Sequence, residues 1–152
     1  MAIPIIEQIA VELAARIDEI TTANGFQQNL TALRPKRDDF ADVTPADGVV
    51  LMVQEDAEAD PESPWPMQDW QQVFLLCAIV LDADDAATSI DVRKNQVAAD
   101  IAKKLRADRS RGGLANETTI LGRTNFAEGA FTGIAVAVMV DYRHQADDPY
   151  TQ

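Results

Sequence analysis

The chain has 152 residues, of which 25 are acidic and 13 basic, with one His, one Cys and 47% hydrophobic residues. A chain of this length predicts one soluble domain that buries about 70% of its unfolded surface without disulfides or metal. One Cys excludes an internal disulfide and a cysteine-based zinc site, one His excludes a three-histidine metal centre, and a net charge of −12 opposes nucleic-acid binding through the overall field.

Met1-Ala2-Ile3-Pro4 has no basic region ahead of an apolar stretch, and Glu7 and Glu12 interrupt the apolar residues after it, so no export leader is expected. From Pro4 to about Asn24 the apolar residues Ile6, Ile9, Leu13, Ile17 and Ile20 form one helical stripe, and Asn24-Gly25 supplies a left-handed stop. Alternation predicts a strand over Phe26 to Leu33, ended by Arg34-Pro35. A second strand is expected over Val49 to Gln54. Residues 55–69 combine Glu55, Asp56, Glu58, Asp60 and Glu62 with Pro61, Pro64 and Pro66, which predicts a mobile acidic loop.

Trp70 to Leu81 is apolar on both faces and predicts a strand covered on both. Thr88-Ser89 with Asp91 starts a second helix that runs to about Asp108, with Ile90, Val97, Ile101 and Leu105 inward and Lys103, Lys104 and Arg106 in its last turns. Arg109 to Gly113 then forms a basic, flexible turn. Glu117 to Phe126 is a further strand, with Gly122 marking a bulge. The last strand, Phe131 to about Arg143, sets the large apolar residues Ile134, Val136, Val138, Val140 and Tyr142 against the mostly small Gly133, Ala135, Ala137 and Met139. Small side chains there let a helix or a neighbouring subunit approach closely. Residues 145–152 are an extended tail. The order predicts an α+β fold, a mostly antiparallel sheet with two main helices packed on one face. The longest apolar runs, residues 73–81 and 134–140, are far shorter than the roughly 20 residues of a membrane-spanning helix, so no membrane contact is expected.

No residue pattern points to catalysis, a cofactor or a metal. Asp82-Ala83-Asp84-Asp85 fails as the start of a calcium loop, because Ala87 stands where the turn needs Gly and Arg93 where a bidentate Glu is required. His144 has no fixed nucleophile and acid beside it, and Cys77 reads as a small core residue. Charge position is more informative. Residues 41–100 hold 13 acids and two bases, a net of −11, whereas residues 101–111 hold five bases and one acid, a net of +4. Such a division suits either a solvated surface or docking between an acidic and a basic region.

Ile134-Ala135-Val136-Ala137-Val138-Met139-Val140-Asp141-Tyr142-Arg143, followed by Asp147-Asp148-Pro149-Tyr150, resembles the last strand and tail of tail terminator (tail completion) proteins of long-tailed bacteriophages. An amphipathic first helix, an early strand ending near Arg34-Pro35, a central strand over Gln72 to Leu81 and a helix over Asn95 to Arg106 occur in the same order in that family, so the resemblance in organisation covers nearly the whole chain. It implies a non-catalytic virion protein, assembled in the bacterial host cytoplasm. Its copies form a ring, typically a hexamer, that caps the tail tube protein, stops polymerisation and offers a surface to the head-tail connector protein. DNA would traverse the lumen without specific binding, which the acidic total suits. The expected contact residues are Arg109 and Arg111 in the basic turn, Glu55, Asp56 and Glu58 in the acidic loop, and Gly133, Ala135 and Ala137 on the small-residue face. Another connector or minor tail protein, or a small cytoplasmic enzyme or ligand-binding domain, are the alternatives.

Overall fold

The computed structural model describes residues 1–37, 40–82 and 88–152. Among these residues the fold is α+β, with two helices and one five-stranded, mostly antiparallel sheet. Helix α1 spans Ile5–Asp18 and strands β1 and β2 span Thr31–Leu33 and Val49–Ala59; β3 (Met67–Ile79), helix α2 (Ile90–Ala107), β4 (Glu117–Glu128) and β5 (Phe131–Gln145) come next. Strand order is β1-β2-β3-β5-β4, with β1 parallel to β2 and every other pair antiparallel.

Helix α1 buries Ile5, Ile9, Ala10, Leu13 and Ile17, the stripe its spacing predicts, with Ile5 taking the inward place and Ile6 only half-buried. It stops at Asp18, earlier than the periodicity suggests, where the Asp18 carboxylate accepts the Ala32 N–H of β1 at 2.7 Å. Ile20 stays in the core, and a single 3-10 turn, Thr22–Asn24, is capped by Thr21 and closed by Gly25 at φ 85°. Helix α2 is capped by Ser89, whose hydroxyl accepts the Val92 N–H, and buries Val97, Ala98, Ile101 and Leu105. The two stripes meet Val50, Met52, Phe74, Leu76, Ala78, Ile134, Val136, Val138, Val140 and Tyr142, so both helices cover one face of the sheet and one apolar cluster forms the core.

Three expectations need correction. The first strand is three residues rather than eight, because the Gln27 and Gln28 N–H groups donate to the Asp100 carboxylate of α2, both at 2.9 Å, and cannot join a ladder. Residues 55–59 and 67–69 are not loop: β2 runs on to Ala59 and β3 starts at Met67, pairing Ala57 with Gln72, Glu58 with Gln71 and Ala59 with Trp70. All three prolines of the segment lie in the seven-residue connection from Asp60 to Pro66, so none interrupts a strand. The acids themselves lie along an edge bathed by water, which a strand tolerates. The 145–152 tail also folds back. Ile5 donates its N–H to the Pro149 carbonyl at 3.0 Å, and the Gln152 side chain reaches the Leu114 carbonyl at 2.5 Å.

Candidate functional site

Strand β3 is apolar on both sides, but the helices cover only one. Val73, Leu75 and Cys77 of β3, Ala135, Ala137 and Met139 of β5, and Val53 of β2 point to the other face and are each half-buried. Register brings Val53, Leu75 and Ala137 into one row across three strands. Beside Ala135 and Ala137, a shallow recess of about 240 Å³ is bounded by Leu75, Leu121, Gly122, Arg123 and Thr124, which joins this face to the edge strand β4. Leu121 stands 52% exposed there, at the bulge between Ile120 and Gly122 that the glycine signals. A sheet face of this composition ordinarily carries a second layer.

The sequence-derived contact residues do not share one surface. Ala135 and Ala137 lie on the open face. Gly133 does not offer itself to a neighbour: it is buried, and a Cβ placed on it would stand 1.8 Å from the Ala78 carbonyl oxygen. Its lack of a side chain serves the close approach of β5 to the end of β3. Glu55, Asp56 and Glu58 are exposed on the outer stretch of β2, and none of the three forms an ion pair among the described residues.

The basic turn is mostly committed internally. Arg111, at φ 51°, is 0% exposed and turned into the molecule. Its guanidinium donates to Thr118 Oγ1 at 3.2 Å, Glu12 Oε2 at 3.3 Å and the Leu105 carbonyl at 2.7 Å, so it fastens α1, the end of α2 and β4 together. It is therefore an internal clamp and not a surface contact. The turn is not a loose one either, since the Asp108 carboxylate accepts from Ser110 N, Ser110 Oγ and Gly112 N at 2.8–3.0 Å. These donors hold the Asp108 carboxyl below its ordinary range. Arg109 is exposed and bonds Glu117 at 2.6 Å. Lys104 pairs with Glu19, and Lys103 sits 4.8 Å from the centroid of the Phe26 ring. Arg106, near Ile120 and Gly122, and Arg123 on β4 are exposed and form no ion pair among the described residues. Arg123 is a site residue that the sequence pattern left as an ordinary strand position; its signal was a lone charge in the otherwise uncharged run 118–127.

His144 is buried at the far end of β5, stacked with Trp70 at 6.2 Å, its Nδ1 2.6 Å from the Gln145 carbonyl. Cys77 lies on the open face rather than in the core. Its partial burial, with the Glu55 carboxylate nearby, pushes the thiol up to about 11, so it is protonated at neutral pH. Among the described residues no three His, Cys, Asp or Glu side chains converge on a point that would hold a metal, and residues 83–87 of the tested calcium stretch lie outside the described residues. No helix is long and apolar enough to cross a membrane among the described residues.

A cleft of about 500 Å³ at the other end of the sheet is bordered by Glu58, Asp69, Trp70, Asn116, Asp141 and Arg143. Asp69 accepts a two-point hydrogen bond from Arg143 at 2.6 and 2.8 Å, which holds its carboxyl below the usual range. Asp141 has one buried, unbonded oxygen, and burial raises its carboxyl above 3.8. The folded chain therefore holds that proton more tightly than the unfolded chain, and Asp141's contribution to stability is lost as pH rises through the raised value. Asp141→Asn should consequently gain in melting temperature relative to the parent chain as pH goes from 3.8 to neutrality. Thermal melts across that range check this, and a difference that stays constant contradicts it. No protein-family model and no curated protein sequence matches this chain.

Proposed function

We propose that the chain is a structural subunit of a long-tailed bacteriophage, a tail terminator whose copies form a ring. The ring caps the finished tail tube, stops its polymerisation and presents a surface to the head connector. The observation that supports assembly is the sheet face without helices: Val53, Val73, Leu75, Cys77, Ala137 and Met139 are only half-buried there, beside the buried Leu51 and Ile79, on a sheet whose other side already carries both helices. Burying such a face against another chain is favourable by roughly 25 cal/mol per Å² of apolar surface.

The phage-tail part of the reading is supported by the resemblance of residues 134–143 and 147–150 to that family's last strand and tail. Those residues are most of β5, which supplies Ala135, Ala137 and Met139 to the open face, and the returning tail that bonds the start of α1. The genetic test is a phage from which the gene for this chain has been deleted. Tails of uncontrolled length that remain unattached to heads are expected. Tails of controlled length that fail only to join heads would assign a connector role instead, and normal virions would remove the chain from tail assembly altogether.

A further inference from the structure

Two stretches of sheet edge have no strand beyond them among the described residues, the outer half of β2, next to Arg34, Pro35, Arg37 and Phe40 as far as Glu55, and β4, and their exposed central charges differ in sign. On one flank β1 pairs only with Val49 to Leu51, so β2 from Met52 to Ala59 has no strand on its outer side among the described residues. On the other flank β4 is outermost along all twelve residues from Glu117 to Glu128. That edge contains no Pro and no Lys, the residues that ordinarily guard an exposed edge against pairing, and a single bulge is its one irregularity. The outer β2 edge presents Glu55, Asp56 and Glu58, whereas the middle of the β4 edge presents Arg123 with Arg106 of α2 close by; of the two acids at the ends of β4, Glu117 is paired with Arg109 and Glu128 is exposed.

We infer that a second copy of this chain docks edge to edge, with the outer stretch of β2 in one copy pairing with β4 of the next. This contact rests on the ring reading and gives it a geometry. Strand direction permits it: β2 and β5 run one way and β3 and β4 the other, so β2 laid beside a neighbour's β4 continues the antiparallel alternation. Charge selects it, because unpaired carboxylates meet unpaired guanidinium groups, whereas β2 against β2 would oppose acids to acids. The open apolar face is compatible with it. Val53 at one flank and Leu121 at the other belong to that face and its rim, so joined sheets would share one continuous apolar surface. The two docking surfaces differ, which makes the contact heterologous, and repetition of a heterologous contact produces a ring when the rotation closes.

Charge exchange tests this. One variant carries Glu55→Lys, Asp56→Lys and Glu58→Lys; the other carries Arg106→Glu and Arg123→Glu. Circular dichroism shows that each is folded, and native mass spectrometry at low ionic strength reads the oligomer. The parent chain should assemble, and each variant alone should need a roughly hundredfold higher concentration to do so, the effect of like charges facing each other. An equimolar mixture of the two should assemble again with an even number of copies, because the Lys edge of one meets the Glu edge of the other. If the ring forms only on tail tubes, copies per tube end are counted instead. Variants that assemble as readily as the parent chain would overturn the edge contact while leaving the ring intact. A parent chain that is monomeric both in solution and on tubes would overturn the ring reading, and the edge contact with it.

Discussion

Arg111→Met is expected to lower stability by about 3–5 kcal/mol, the range for removing one partner of a buried charge pair. The side chain is fully enclosed and donates to Thr118, Glu12 and the Leu105 carbonyl. Methionine fills much of the volume but removes the Arg111 donor from all three, and Glu12 is then a mostly buried carboxylate with Arg16 as its remaining partner, at 2.5 Å. The melting temperature should fall by roughly 6–20 °C for a chain of this size. Arg109→Met is the control, since that side chain is 62% exposed and its bond to Glu117 is worth at most about 1 kcal/mol. Urea midpoints of the two variants decide the matter. Equal midpoints would contradict the internal clamp and return Arg111 to the surface role its sequence position suggests.

Gly133→Ala should be the second most damaging change, although alanine is the smallest side chain available. The added Cβ would lie 1.8 Å from the Ala78 carbonyl oxygen, 2.9 Å from its carbon and 3.0 Å from Val80 N. All three are backbone atoms at the end of the paired strand, so no rotamer change relieves the overlap; β3 and β5 must separate where Val80 N donates to the Thr132 carbonyl at 2.9 Å. A loss of about 3 kcal/mol, the upper part of the usual over-packing range, is expected. Ala135→Gly and Ala137→Gly provide the comparison, because these positions face the open side of the sheet and lose only a methyl group and some chain rigidity. Chemical denaturation should rank Gly133→Ala well below both. A Gly133→Ala chain as stable as the parent would show that β5 does not approach the end of β3 so closely.

Local pattern was enough wherever partners lie close in sequence. The stripe of α1, the Ser89 cap, the Gly122 bulge and the alternation of β5 all appear in the chain as spacing, and the structure repeats them with small shifts of boundary. Long-range partners were not legible. Asp100 lies more than 70 positions from Gln27 and Gln28, yet it removes their N–H groups from the first strand. Arg111 sits in a Gly-rich basic turn whose composition says surface, and the one charged acceptor that holds it inward, the Glu12 carboxylate, lies 99 positions away. The acidic residues before Ala59 suggest a loop because three prolines follow closely, whereas those prolines fall outside the strand. The open face was hidden by its own character, since a strand apolar on both sides predicts two covering layers and two helices suffice for one.

The charge division survives in altered form. Most of the basic stretch is bonded within the chain, and the cations near the β4 edge that form no ion pair among the described residues are Arg106 and Arg123, opposite the edge that carries Glu55, Asp56 and Glu58. Polarity across the sheet, rather than between two segments of sequence, is what a repeating contact would use.

The most direct measurement is the length distribution of tail tubes polymerised in vitro from the cognate tube protein, read by electron microscopy with and without this chain. Tubes should shorten as the chain is added, each carrying a ring of density at one end. Tube lengths that do not change with its concentration, and ends that stay bare, would contradict the terminator role.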